Sequence, residues 1–184
     1  MDPAFDQAMT ALARALHQQG DNAGARQWLE KAVGQNGHNF RAWYELAWIE
    51  DKSGNKESAR TGYEKVLALQ PNFALAQRGL GLLHFERRDY AEAVPHLLRA
   101  TELGLKDAET FNFLGICYDR IGRLPQAVAS YHSALQLNGS FADAHLNLGY
   151  TYEQLHREAL AHKEYDQACR LKASLCRLTG PHQK

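Results

Sequence analysis

Residues 111–135 read FNFLGICYDRIGRLPQAVASYHSAL. Phe111, Leu114, Gly115 and Tyr118 follow the i, i+3, i+4, i+7 spacing of one face of an α-helix. Gly122-Arg123 then breaks the pattern, glycine being a helix stop. A second helical stripe follows at Ala127, Tyr131 and Ala134. Two amphipathic helices and the tight turn between them are written into this one stretch.

Working outward from it in both directions, the same marks return every 34 residues. Ala127 belongs to the series Ala25, Ala59, Ala93, Ala127 and Ala161, and Leu114 to Leu12, Leu46, Leu80, Leu114 and Leu148. Gly115 belongs to Ala13, Ala47, Gly81, Gly115 and Gly149, and Ala134 to Ala32, Val66, Ala100, Ala134 and Ala168. A fixed period of this length means one supersecondary unit copied in tandem. The units are residues 6–39, 40–73, 74–107, 108–141 and 142–173, the last reaching 175 at most, and they read as a single array over 6–173. Residues 174–184 are expected to extend the last helix through Leu175, Cys176 and Leu178, with Gly180-Pro181 stopping it, and to end in a tail.

The small residues have a packing reason. Position 8 of each first helix is expected to face position 20 of the second, where the two backbones approach closely. The aromatic at position 24, Tyr131 in the fourth unit, fills the space beside that contact. A large residue here would overpack it by roughly 1–3 kcal/mol. Some positions depart from the pattern. Glu50 stands where the fourth unit has Tyr118, so it must reach the edge of the layer or find a partner. Pro95 lies several residues into a second helix and predicts a local bend.

Composition narrows the function classes. Lys plus Arg is 21 and Asp plus Glu is 21, so no overall basic field attracts nucleic acid. No apolar run approaches the ~20 residues that would insert into and span a membrane. The start, MDPAFDQAM, lacks the basic and apolar regions of a signal peptide. The odd count of three cysteines argues against a disulfide framework. Cys117 lies in an apolar helical pattern, Cys169 and Cys176 are seven apart as if on one helix face, and a reducing compartment suits them. Neither a phosphate loop, an HExxH, a CxxC nor a nucleophile elbow occurs, and the nine histidines form no cluster with metal-ligand spacing. The expectation is a chain that is not an enzyme and needs no cofactor or metal.

The repeat pattern resembles the tetratricopeptide repeat family. Residues 111–135, the fifth-unit stretch HLNLGYTYEQLHREALAHKEYDQA (145–168) and the second-unit stretch WYELAWIEDKSGNKESARTGYEKVLALQPN (43–72) carry the resemblance, which covers Asp6 to about Ala173. It implies an all-α, right-handed superhelical solenoid of tandem helix-turn-helix repeats. The first helix of each unit would line a concave face, with positions 2, 5, 9 and 12 pointing into it. That face would be apolar and aromatic at its centre, through Tyr44, Trp48, Leu82, Phe85, Ile116 and Tyr150. An apolar stripe rimmed by polar residues marks a binding site. Arg14, Arg41 and Arg78 would make one end basic, and Glu109, Asp119, Asp143 and Glu153 the other end acidic. Asn112 and Asn147 would bond the backbone of a bound segment.

The function implied is non-enzymatic: a scaffold or adaptor holding a protein or peptide segment with apolar and acidic groups. Two alternatives stand beside it, a regulatory or substrate-docking segment of a larger enzyme and a self-assembling scaffold. The last would use uncapped array ends, such as Ala11, Leu12 and Ala15. The clamp by which some family members hold acidic chaperone tails is not matched, since its positions carry Thr10, Arg14, Glu45, Leu75 and Gly79. A cytoplasmic location is favoured, a periplasmic one being open if a targeting segment was removed.

Overall fold

The computed structural model describes residues 3–177. Ten helices follow one another: α1 (Pro3–Gln18), α2 (Asn22–Gln35), α3 (Phe40–Lys52), α4 (Lys56–Leu69), α5 (Ala74–Glu86), α6 (Tyr90–Glu102), α7 (Ala108–Arg120), α8 (Leu124–Leu137), α9 (Ala142–Gln154) and α10 (Glu158–Leu171). A 3-10 helix, Ala173–Arg177, follows. The fold class expected from the period is the one observed: all-α, helix-turn-helix units in tandem, with no strand among the described residues.

The turn inside each unit is built the same way five times. Asp21, Asn55, Asp89, Arg123 and Arg157 each donate a backbone N–H to the carbonyl five residues earlier, at 2.8–2.9 Å. This is the long bond of a Schellman cap, which requires a left-handed residue just before the donor. Glycine supplies it at Gly20, Gly54 and Gly122, with φ of 87°, 84° and 75°. In the third and fifth units Arg88 (φ 66°) and His156 (φ 56°) take the same conformation. α6 runs on through Pro95, whose side chain faces solvent.

The described residues divide between Leu83 and His84, within α5, into two compact units. In the first, α1 packs on α2, α2 on α3 and α3 on α4. Its core has two clusters, one around Met9, Ala25, Leu29 and Ile49, the other around Ala59, Tyr63, Val66 and Leu80. In the second unit α6 packs on α7, α7 on α8, α8 on α9 and α9 on α10. Leu97, Leu114, Cys117, Tyr131 and Leu148 are buried there. The alanine series of the period is buried throughout, Ala25, Ala59, Ala93 and Ala127 at 0% exposure and Ala161 at 3%.

The position-24 aromatics lie directly on the small residues rather than beside them. A Cβ added at Gly115 would come within 2.6 Å of the Tyr131 ring. Gly79, one of two glycines in α5, makes the same room for Tyr63 of the preceding unit, also at 2.6 Å. Glu50 has found its partners: it is 8% exposed, pairs with Arg26 at 2.7 Å and accepts from Asn55 at 2.6 Å.

The end of the chain differs from expectation. The last helix stops at Leu171 instead of running on through Leu175 and Cys176, and Lys172 caps it in an extended conformation. The 3-10 helix then packs against α10, with Leu175 only 6% exposed. Cys169 and Cys176 do not share a helix face, nor are they free thiols: they form a disulfide between α10 and the 3-10 helix. Lys172 repeats, 34 residues on, the cap at which Asn138 ends α8, as Asn36 and Gln70 end α2 and α4, so the last helix stops in phase with the period. Leu178 and Gly180-Pro181 lie outside the described residues.

Candidate functional site

The residues proposed for recognition lie on α1, α3 and α5 in the first unit and on α5, α7 and α9 in the second.

In the first unit Arg14 is exposed on α1, and its guanidinium pairs with Glu45 of α3 at 3.0 Å. Arg41 is exposed in the first turn of α3, its guanidinium 5.8 Å from the Phe40 ring centroid. Tyr44 is half-buried with its ring edge-on to Phe73 at 5.1 Å. Burial raises the Tyr44 hydroxyl pKa above its ordinary value, Glu45 adds to this, and Arg78 opposes it. Trp48 rests partly on the first core cluster and meets His17 edge-on at 4.7 Å, with the Lys52 ammonium 6.0 Å from its ring. Tyr44, Trp48, Arg78 and Leu82, all half-buried, line a depression of about 60 Å³ between α3 and α5. Four of the proposed residues are therefore brought together here.

In the second unit Ile116, Asn147 and Tyr150 share a depression of about 350 Å³ with Asp119, Arg120 and Glu153. Tyr150 is 38% exposed and stands edge-on to Tyr165 at 5.4 Å. The acids of this face are engaged. Asp119 accepts from Gln154 at 2.8 Å and Thr151 at 3.1 Å, and Glu153 accepts from the Tyr165 hydroxyl at 2.7 Å. Burial first, and Glu153 second, push the Tyr165 hydroxyl well above its ordinary value.

Four proposed residues line neither depression: Arg14 and Arg41, described above, and Phe85 and Asn112. Phe85 is half-buried and packs edge-on to Phe113 at 4.8 Å and to Tyr90 at 5.7 Å. Asn112 is 6% exposed, and its carbonyl accepts from Asn147 at 3.2 Å. The two asparagines expected to bond a partner's backbone thus bond each other, and only Asn147 opens onto the depression.

Sequence reasoning passed over a cavity of about 540 Å³ in the first unit. It is walled by Asp6, Gln7, Thr10 and Arg14 of α1, by the Asn36–Asn39 turn and by Arg41. Asp6 and Thr10, one helical turn apart on α1, were the available signal, with two asparagines flanking the following inter-repeat turn.

The comparisons agree with the fold. Tetratricopeptide repeat models match residues 16–83 and 142–175, and a TPR repeat model matches 116–155, together more than half of the chain. The chain belongs to the tetratricopeptide repeat family. Among curated proteins it is 22% identical over 175 residues to anaphase-promoting complex subunit 3 of Schizosaccharomyces pombe, covering 93% of this chain and 26% of that one. The chain spans about a quarter or less of the length of the curated relatives first matched. Among solved structures, YrrB, described as a TPR protein with an unusual peptide-binding site, superposes with a TM-score of 0.83 at 22% identity, over 92% of this chain and 89% of that one. MamA superposes with a TM-score of 0.80 at 22% identity, over 90% and 96% of the two chains.

Proposed function

We propose that the chain is a non-enzymatic scaffold or adaptor that holds a segment of a partner protein against the first helices of its repeats. The family and fold are those of protein-interaction scaffolds. One observation carries the finer reading: Tyr44, Trp48 and Leu82 remain half-exposed around one depression, next to the Arg78 cation, after the cores of the first unit are complete. Large aromatic side chains beside an arginine are the usual anchors of a binding surface. The occupant has apolar groups for the aromatic wall and acidic groups for Arg41 and Arg78. In the second unit Tyr150 and Ile116 offer a further apolar contact, with Asn147 as a backbone donor held in place by Asn112. YrrB's peptide-binding site supports a peptide as occupant.

A displayed library of random peptides, panned against the chain, tests this. The enriched peptides should pair acidic with aromatic or aliphatic residues. Arg41→Glu should weaken their binding about tenfold, which is about 1.4 kcal/mol, and added salt should weaken wild-type binding. Trp48→Ala, checked for retained helicity, should remove the apolar preference. Unchanged affinity in both folded variants would overturn the assignment of this face.

A second reading, a docking segment of a larger enzyme, has one observation in its favour: the curated relatives extend far beyond the stretch that this chain matches.

A further inference from the structure

The cavity of about 540 Å³ in the first unit contains a charge that its surroundings leave half-satisfied. Asp6 lines it and is only 4% exposed. One oxygen, Oδ2, accepts from Asn36 Nδ2 at 2.7 Å and from Asn39 Nδ2 at 2.9 Å. The other, Oδ1, is buried and has no hydrogen-bond partner among the described residues. The Thr10 hydroxyl does not serve it, because it donates to the Asp6 backbone carbonyl at 2.8 Å. Nor does a neighbouring cation: Arg14 is committed to Glu45, and the Arg41 guanidinium lies over Phe40. A buried carboxylate oxygen left without a donor is a costly arrangement, and a cation delivered by a ligand would relieve it.

We propose that this cavity is a receptor for a primary ammonium group, with the Asp6 carboxylate as its counter-ion. The donor count selects the ligand. Only one carboxylate oxygen lacks a donor, whereas a guanidinium fork favours two acceptors. A divalent cation needs several oxygen ligands, and here two amide nitrogens already face the carboxylate. An ammonium has compact N–H groups that single acceptors satisfy. Thr10 Oγ1, 3.4 Å from Asn39 Nδ2, is a second acceptor on the same wall. Arg14 and Arg41 also line the cavity and are exposed, so they disfavour a polybasic ligand and favour an ammonium with an acidic group beside it. A lysine side chain or a free chain N-terminus, each next to an acidic residue, has this chemistry. The proposal rests on the partner-binding reading only for assigning the ammonium to a partner segment.

Titration of the ¹⁵N-labelled chain with capped amino acids decides the matter through the side-chain amide signals of Asn36 and Asn39. Nα-acetyl-lysine N-methylamide should shift both signals saturably, with a dissociation constant on the order of 1 mM. Nα-acetyl-norleucine N-methylamide, which has the same stem without the ammonium, should not, and Nα-acetyl-arginine N-methylamide should bind at least several-fold more weakly. Alanine N-methylamide, with a free α-ammonium, separates the two sources: saturation by it alone assigns an N-terminus, and by the lysine derivative alone a side chain. Asp6→Asn should abolish the response. Should that variant lose its helicity, the wild-type comparison of lysine with norleucine decides by itself. Equal shifts from both of these, or no shift from either ammonium compound, would overturn the proposal. Such a failure would leave the peptide-panning result, which reads the face around Tyr44 and Trp48, unaffected.

Discussion

Gly115 and Gly34 show how the same residue type serves opposite ends within one period. Gly115 lies under the Tyr131 ring, and a Cβ there would be 2.6 Å from it. Tyr131 is itself 2% exposed and has nowhere to move. Gly34 lies near the end of α2 with nothing within 4 Å of an added Cβ. Alanine raises helix propensity by about 1 kcal/mol over glycine at either site. At Gly115 the overpacking of roughly 1–3 kcal/mol exceeds or cancels that gain. Urea unfolding should therefore show Gly115→Ala destabilised by about 1 kcal/mol and Gly34→Ala stabilised by up to about 1 kcal/mol. The same sign for both would mean that propensity, not the ring contact, decides. The period was enough to mark Gly115 as a contact position, but it did not reveal that Gly79 plays the same part between units, because Gly79 lies off the repeated series.

At the scale of the element, the intra-repeat turn demands a left-handed residue, and the chain meets that demand in two ways. Gly20, Gly54 and Gly122 adopt it without steric penalty, whereas Arg88 and His156 carry a Cβ into the crowded region. Both side chains are exposed, so removing either uncovers no core. Arg88→Gly and His156→Gly should each stabilise the fold by about 1 kcal/mol, and Gly122→Ala should destabilise it by a similar amount. Thermal melting of the three variants checks the signs. A loss of stability in both glycine variants would show that side-chain contacts of Arg88 and His156 outweigh their backbone strain. Gly20, Gly54 and Gly122 are visible in the sequence as helix stops. The other two turns were silent because the Schellman bond is made by backbone atoms, which any residue except proline presents.

At the scale of the whole molecule, the two compact units differ in what they bury. The second holds Cys117, whose thiol burial pushes up to about 12, and three tyrosines, Tyr131, Tyr152 and Tyr165, whose hydroxyls burial also raises. The first holds Tyr44, raised in the same way. These groups are held in their neutral, protonated forms. An unfolded thiol ionises above about pH 9 while the folded one stays protonated, so its stabilisation is complete below pH 9 and is lost as pH rises towards about 12. The loss from Cys117 alone is roughly 1.4 kcal/mol per pH unit. All three tryptophans, Trp28, Trp43 and Trp48, lie in the first unit. On raising the pH through this window, helical circular dichroism should begin to fall before tryptophan fluorescence changes. Cys117→Ala should move the first transition to higher pH. Coincident transitions by both probes would show that the units do not unfold separately.

The sequence by itself determined the number of repeats, their phase, the helical class and the small residues on which the helices close. All of these depend on spacing along the chain, and a 34-residue period records them five times over. It also determined that Glu50 must reach the edge of the layer or find a partner, and the structure chose the partner. Only the tertiary structure decided which partner each polar side chain takes. Asn112 with Asn147, Asp6 with Asn36 and Asn39, and Arg14 with Glu45 join residues 30 or more positions apart. Whether such groups meet depends on the rotation of one helix against the next and on the rotamer each side chain adopts, to within an ångström or so. The pairing of Cys169 with Cys176 is of the same kind. The stop at Lys172 repeats those at Asn36, Gln70 and Asn138, whereas the 3-10 helix that brings Cys176 back to α10 is found once among the described residues, after the last full repeat, so periodicity carries no record of it.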